Sequence, residues 1–113
     1  MSRLVRRLLR TDGTSEDLLG PVSMAEVGKL IGADCIDCVS LRHMGSPAHV
    51  MCVDDNGYET KSVDIPQGVW LKPVRARKPF NVEATRLYHL NCTPGTTHAI
   101  VGDVLILPDE DFA

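Results

Sequence analysis

The sequence predicts an α+β domain: a small antiparallel or mixed sheet of about five to six strands with two short helices packed on one face. Two observations carry this expectation. β-prone runs recur at Leu4–Arg10, Cys35–Leu41, Ala48–Val53, Tyr58–Ile65 and Val104–Leu107, and two helix starts, at Ser23 and Asn81, are interleaved with them. At 113 residues the chain is the size of a single domain, 1–113, with one core. The content, 43% hydrophobic and 24% charged, places it among globular chains, and one Trp, two Tyr and two Phe require an aliphatic core.

The elements follow in chain order. Leu4–Arg10 reads as a strand and Thr11–Pro21 as a turn-rich surface connection. Ser23-Met-Ala-Glu26 has the spacing of a capping box, in which the Ser side chain and the Glu three residues later satisfy each other's exposed backbone donors. The helix it opens carries Met24, Val27, Leu30 and Ile31 at helical spacing as one buried face, and Gly32 ends it. Strands follow at Cys35–Leu41 and Ala48–Val53, and Asp54-Asp55-Asn56-Gly57 predicts a hairpin that pairs Tyr58–Ile65 back onto Ala48–Val53.

From Pro66 to Phe80 the character changes to prolines, the only Trp and the cations Lys72, Arg75, Arg77 and Lys78. Residues 66–80 are therefore expected to form a basic, Pro-containing loop or insertion. Asn81 is a good N-cap for a helix over Val82–Leu90, with Val82, Leu87 and Leu90 available for burial, which stops at Asn91-Cys-Thr-Pro-Gly95. An Ile100-Val101 run, a Gly102-Asp103 turn and the strand Val104–Leu107 close the fold, and 108–113 is an acidic tail in solvent.

Charge and segment composition exclude several classes. A net charge of -3 argues against a protein that coats nucleic acid non-specifically, so any anion site must be local. Arg alternates with Leu and Val through Met1–Arg10 too closely for a signal peptide, and no apolar run is long enough to span a membrane, which predicts a cytoplasmic chain with no membrane partner. Cys35, Cys38, Cys52 and Cys92 are then expected as reduced thiols.

Asn81-x-x-Ala84-Thr85-x-Leu87, followed after a short turn by Ile100-Val101-Gly102-Asp103-Val104-Leu105-Ile106, resembles the closing motifs of an uncharacterised family of small proteins encoded by bacteriophages and plasmids. Leu30-Ile31-Gly32 and Asp54-Asp55-Asn56-Gly57 match that family's Gly-ended helix and its Asp-x-x-Gly turn, so the resemblance spans roughly residues 23 to 107. This chain departs from the pattern by inserting Ile65–Phe80. The resemblance implies a mobile-element accessory protein, in the host cytoplasm if phage-encoded, and no particular reaction.

The basic segment is the strongest site candidate. Lys72, Arg75, Arg77 and Lys78 lead into Asn81 and the unpaired N–H groups of a helix N-terminus, a natural anion site, with Thr85 and Arg86 beside it. Trp70 and Phe80 flank the cations and offer surfaces for stacking on a base. The bland alternative is a solvated loop whose Trp plugs the core edge.

Cys35-x-x-Cys38 has zinc spacing, but in a strand residues three apart point to opposite faces, and the preceding helix ends before Cys35 and so cannot lower a thiol pKa. The cysteines therefore read as buried structural thiols, and no metal or cofactor is expected. No nucleophile elbow or phosphate loop is present in the sequence. The expectation is a non-enzymatic accessory protein, a counter-defence factor that binds and blocks a host protein or sequesters a small nucleotide, with a homodimer as the default assembly. The alternatives are a nucleic-acid-binding module using residues 72–86 and, from another class, a small hydrolase or zinc-dependent enzyme.

Overall fold

Val104-Leu-Ile-Leu-Pro108 is apolar at every position, the pattern of a strand covered on both faces, and it is buried at every position. In the computed structural model, which describes residues 4–92 and 98–112, this strand is β7 at the centre of a five-stranded antiparallel sheet. The others are β1 (Arg7–Leu9), β2 (Ser15–Asp17), β3 (Ile36–Ser40) and β4 (His49–Asp54), in the spatial order β2-β1-β7-β4-β3. Two further strands, β5 (Tyr58–Ile65) and β6 (Gly68–Ala76), form a separate antiparallel ribbon. Helices α1 (Met24–Ile31) and α2 (Val82–Asn91) complete an α+β fold.

Alternation along the central strands sorts the core into two layers. Val104 and Ile106 of β7, Met51 and Val53 of β4 and Leu9 of β1 pack with Ala84 and Leu87 of α2. Leu105 and Leu107, Cys52 and Leu8 point the other way and pack with Val27 and Ile31 of α1. The helices therefore lie on opposite faces, which corrects the expectation that both pack on one. The fully apolar β7 needs cover on each side. The amphipathic faces are also narrower than their spacing predicts, since Met24, Leu30, Val82 and Leu90 are exposed.

The helix ends follow local chemistry. Ser23 accepts from the Glu26 N–H at 3.2 Å in a complete capping box, and Gly32 closes α1 at φ 68°, the left-handed conformation. Asn81 caps α2, whose expected C-terminal stop extends into residues 93–97, outside the described residues. Part of the connection expected over Thr11–Pro21 is strand β2, which covers the outer edge of β1. The acidic tail is not simply solvated. Pro108 completes β7, and Asp111 takes a bidentate bond from Arg6 Nε and Nη2, each 2.9 Å long, which raises the Arg6 pKa.

The expected hairpin between Ala48–Val53 and Tyr58–Ile65 does not form. β4 is already flanked by β3 and β7, so Tyr58–Ile65 has no free edge to join. The turn at Asp54–Gly57, with Gly57 N–H donating to Asp54 O, instead sends the chain out of the sheet. Gly57 is required there by close approach, because a Cβ at this position would lie 2.6 Å from Val101 Cγ2. The segment 66–80, expected as a loop, is a strand over Gly68–Ala76 that pairs with β5.

Candidate functional site

β5 and β6 project as an arm, and the molecule is 49 Å long against 28 Å in its other two directions. Eight residues of strand reach about 26 Å. Ile65 pairs with Gly68 at the tip, leaving a two-residue turn of Pro66, whose fixed φ suits the turn, and Gln67. At the base, Arg77 N–H donates to Gly57 O at 2.9 Å, and the Tyr58 hydroxyl donates to Ala99 O at 2.6 Å. Burial holds the Tyr58 pKa above its ordinary value. Pro73 sits within β6 beside a bulge opposite Glu59 and Thr60, a position tolerated because a two-stranded ribbon leaves each strand one open edge.

The register assigns side chains to the two faces of the arm, since directly opposed residues share a face. One face carries Ile65, Val63, Lys61 and Glu59 with Trp70, Lys72 and Arg75. The other carries Asp64, Ser62 and Thr60 with Val69, Leu71 and Pro73. Trp70 is 49% exposed, Leu71 58%, Val74 54% and Val69 64%. Hydrophobic side chains clustered on one projecting element, rather than scattered singly, mark an interaction surface. On the first face Lys61 stands directly opposite Lys72, a like-charge pair that destabilises a ribbon unless an anionic partner meets it.

The structure divides the sequence-based site residues. Trp70, Lys72 and Arg75 lie together on one face of the arm, and Arg77 lies exposed at its base. Lys78 is turned into the body, where its Nζ is 2.5 Å from Asp54 Oδ2 and 2.8 Å from Gly32 O, so it caps the C-terminus of α1. Asn81 is buried and its side chain bonds Leu9 O, Gly102 O and Ala84 N. Thr85 Oγ1 accepts from Ile100 N–H and donates to Ile100 O, and Arg86 pairs with Glu83, whose carboxyl it holds below its ordinary pKa. Lys78, Asn81 and Thr85 tie the second helix, its neighbouring strands and α1 together, whereas the Arg86–Glu83 pair stays within α2.

Sequence reasoning missed Lys61, Ile65, Val69, Leu71 and Val74. The signal was present as Ile65-Pro-Gln-Gly68, a two-residue turn between β-prone runs, but Pro73 made the second run read as a loop. Beneath the arm a half-open cleft of about 230 Å³ is lined by Tyr58, Thr60 and Pro73 from the arm and by Asp37, Tyr88 and His98 from the body. The His98 ring packs between the two tyrosines at centroid distances of 5.3 Å and 5.6 Å.

Cys35 and Cys38 are exposed and only Cys52 is deeply buried, so the expectation of buried structural thiols fails for the Cys-x-x-Cys pair. Among the described residues, no group of three or more His, Cys, Asp or Glu side chains is arranged to hold a metal ion, and no helix is long and apolar enough to cross a membrane. In comparisons with known proteins, the chain matches no family model, no curated protein and no solved structure.

Proposed function

We propose that this chain is a non-enzymatic binding protein that engages a protein partner through its projecting arm. The observation that supports the reading is the clustering of Val69, Trp70, Leu71 and Val74, all at least half exposed or nearly so, on a ribbon anchored at one end only. An isolated two-stranded ribbon is marginal in water, and exposed apolar side chains on both faces add a further cost until a partner covers them. Trp70 and Arg75 on one face are residue types enriched in interface hot spots, and with Lys61 and Lys72 beside them a partner groove that is apolar at its floor and acidic at its rim complements the face. An apolar blade open on both faces suits a protein groove better than a small nucleotide. The setting we assign, on the family resemblance of residues 23 to 107, is that of a phage or plasmid accessory factor that blocks a host protein.

The test compares wild-type protein with Trp70→Ala/Leu71→Ser as bait for a lysate of the host cell, followed by affinity measurement on the purified partner. The reading expects the double variant to keep its circular dichroism spectrum and to bind the partner at least about 30-fold more weakly. Equal binding by the two proteins overturns it. One observation favours a second reading: Lys61, Lys72 and Trp70 on one face also suit a single-stranded nucleic acid. That reading expects binding to a labelled oligonucleotide with an affinity that falls steeply with salt, and loss of binding in Lys61→Ala/Lys72→Ala.

A further inference from the structure

We propose that Cys38 and Cys52 form a modification site: an intrachain disulfide made between β3 and β4 by a two-electron oxidant of the peroxide class. The sequence drew attention to Cys35 and Cys38 through their spacing, whereas the fold sets Cys38 directly opposite Cys52 in the antiparallel register. The two sulfurs are 3.9 Å apart. Cys35 precedes β3 and takes no part in that register.

The two thiols differ in a way that orders the chemistry. Cys38 is exposed on an edge strand and meets an oxidant from solvent. Cys52 is buried beneath α1, and burial, reinforced by Cys38, pushes its pKa up to about 12, so it is protonated and inert toward solvent. Cys38 sulfur attacks the peroxide, forming an S–O bond while the O–O bond breaks and the departing oxygen leaves as water or alcohol. Cys52 sulfur then attacks the sulfenic sulfur, forming the S–S bond while the S–O bond breaks and its proton leaves with the departing hydroxide as water. In sum the two thiols lose two protons and two electrons, and the peroxide takes both and is reduced to water and water or alcohol.

Closure from 3.9 Å to a bonded S–S length of about 2.05 Å requires rotation of the exposed Cys38 side chain and leaves the strand register in place. The bond fastens edge strand β3 to β4, next to the central strand, across a sequence separation of 14 residues.

The test treats the reduced, full-length protein with hydrogen peroxide, blocks remaining thiols and maps tryptic peptides. The proposal expects the intact mass to fall by two hydrogens, with peptide Leu30–Arg42 linked to His43–Lys61. The link should persist in Cys35→Ser and vanish in Cys38→Ser and Cys52→Ala. Cys38→Ser alters an exposed side chain, so it decides the matter even if Cys52→Ala folds poorly. The oxidised protein should melt about 10 °C higher, reversibly with dithiothreitol. A link through Cys35 or Cys92, or stepwise oxygen addition at Cys38 in a folded protein without a link, overturns the proposal.

Discussion

Replacing Asn81 with Ala tests whether this residue joins the fold together or merely starts a helix. Its Oδ1 accepts from Ala84 N–H at 3.0 Å, while Nδ2 donates to Gly102 O at 3.0 Å and to Leu9 O at 3.2 Å. Loss of the cap costs about 1 kcal/mol. Two buried carbonyls then lose a donor, at roughly 1 to 1.5 kcal/mol each, so Asn81→Ala should cost about 3 to 4 kcal/mol in all. Asn81→Asp sharpens the test. Asp caps a helix as well as Asn, so capping alone expects a change below about 0.5 kcal/mol. Here the second carboxylate oxygen would face two carbonyl oxygens, and Asp should cost at least as much as Ala. The assay is urea unfolding followed by far-UV circular dichroism, because Trp70 lies on the exposed arm and its fluorescence reports the core poorly. The midpoint should fall by roughly 2 M for both variants. A loss below about 1 kcal/mol in Asn81→Ala, or an unperturbed Asn81→Asp, refutes the three-way tie.

Three further outcomes are expected. Lys78→Met leaves the Asp54 carboxylate, 5% exposed, without its cation and uncaps α1, and should cost about 2 kcal/mol in the same assay. Cys52 keeps its proton to about pH 12 when folded but loses it near pH 9 when unfolded, so the folded state binds more protons between those values. The Cys52 contribution to stability should therefore fall as pH rises through that window, by up to about 1.4 kcal/mol per pH unit, so the slope should be shallower by that amount in Cys52→Ala when chemical denaturation is measured at graded pH, the raised Tyr58 accounting for part of the slope that remains. Shortening the arm by joining residue 60 to residue 74 through a Gly-containing turn should leave the five-stranded sheet folded, since no described core side chain comes from residues 61–73. Collapse of the hydrogen-exchange protection of β7 would contradict that independence.

Features legible in the sequence are those whose cause lies within a few residues. The capping box at Ser23–Glu26, the left-handed Gly32, the Asn81 cap and the fully apolar β7 each follow from local hydrogen bonding, backbone sterics or periodicity, and each is present in the fold. The α+β class follows from their order. The helix faces were only half legible, because periodicity ranks Met24 and Val82 with Val27 and Leu87, while burial depends on how far a neighbouring strand extends.

The candidate site was legible in composition and not in arrangement. Trp70, Lys72 and Arg75 are on the arm as a group, but Lys78, Asn81 and Thr85, chosen for the same proximity in sequence, are held by protein partners as much as 72 residues away. Sequence alone determined both helices and the strands β1, β3, β4, β5 and β7, though not β2 or β6, and that one segment concentrates a Trp with cations. Only the tertiary structure decided that β4 gives its two edges to β3 and β7, which drives Tyr58–Ile65 out into an arm, and that Cys38 meets Cys52 rather than Cys35. The reason is physical: caps and turns are satisfied within a few residues, whereas strand pairing is a competition among distant segments for a limited number of edges, settled by the whole sheet at once.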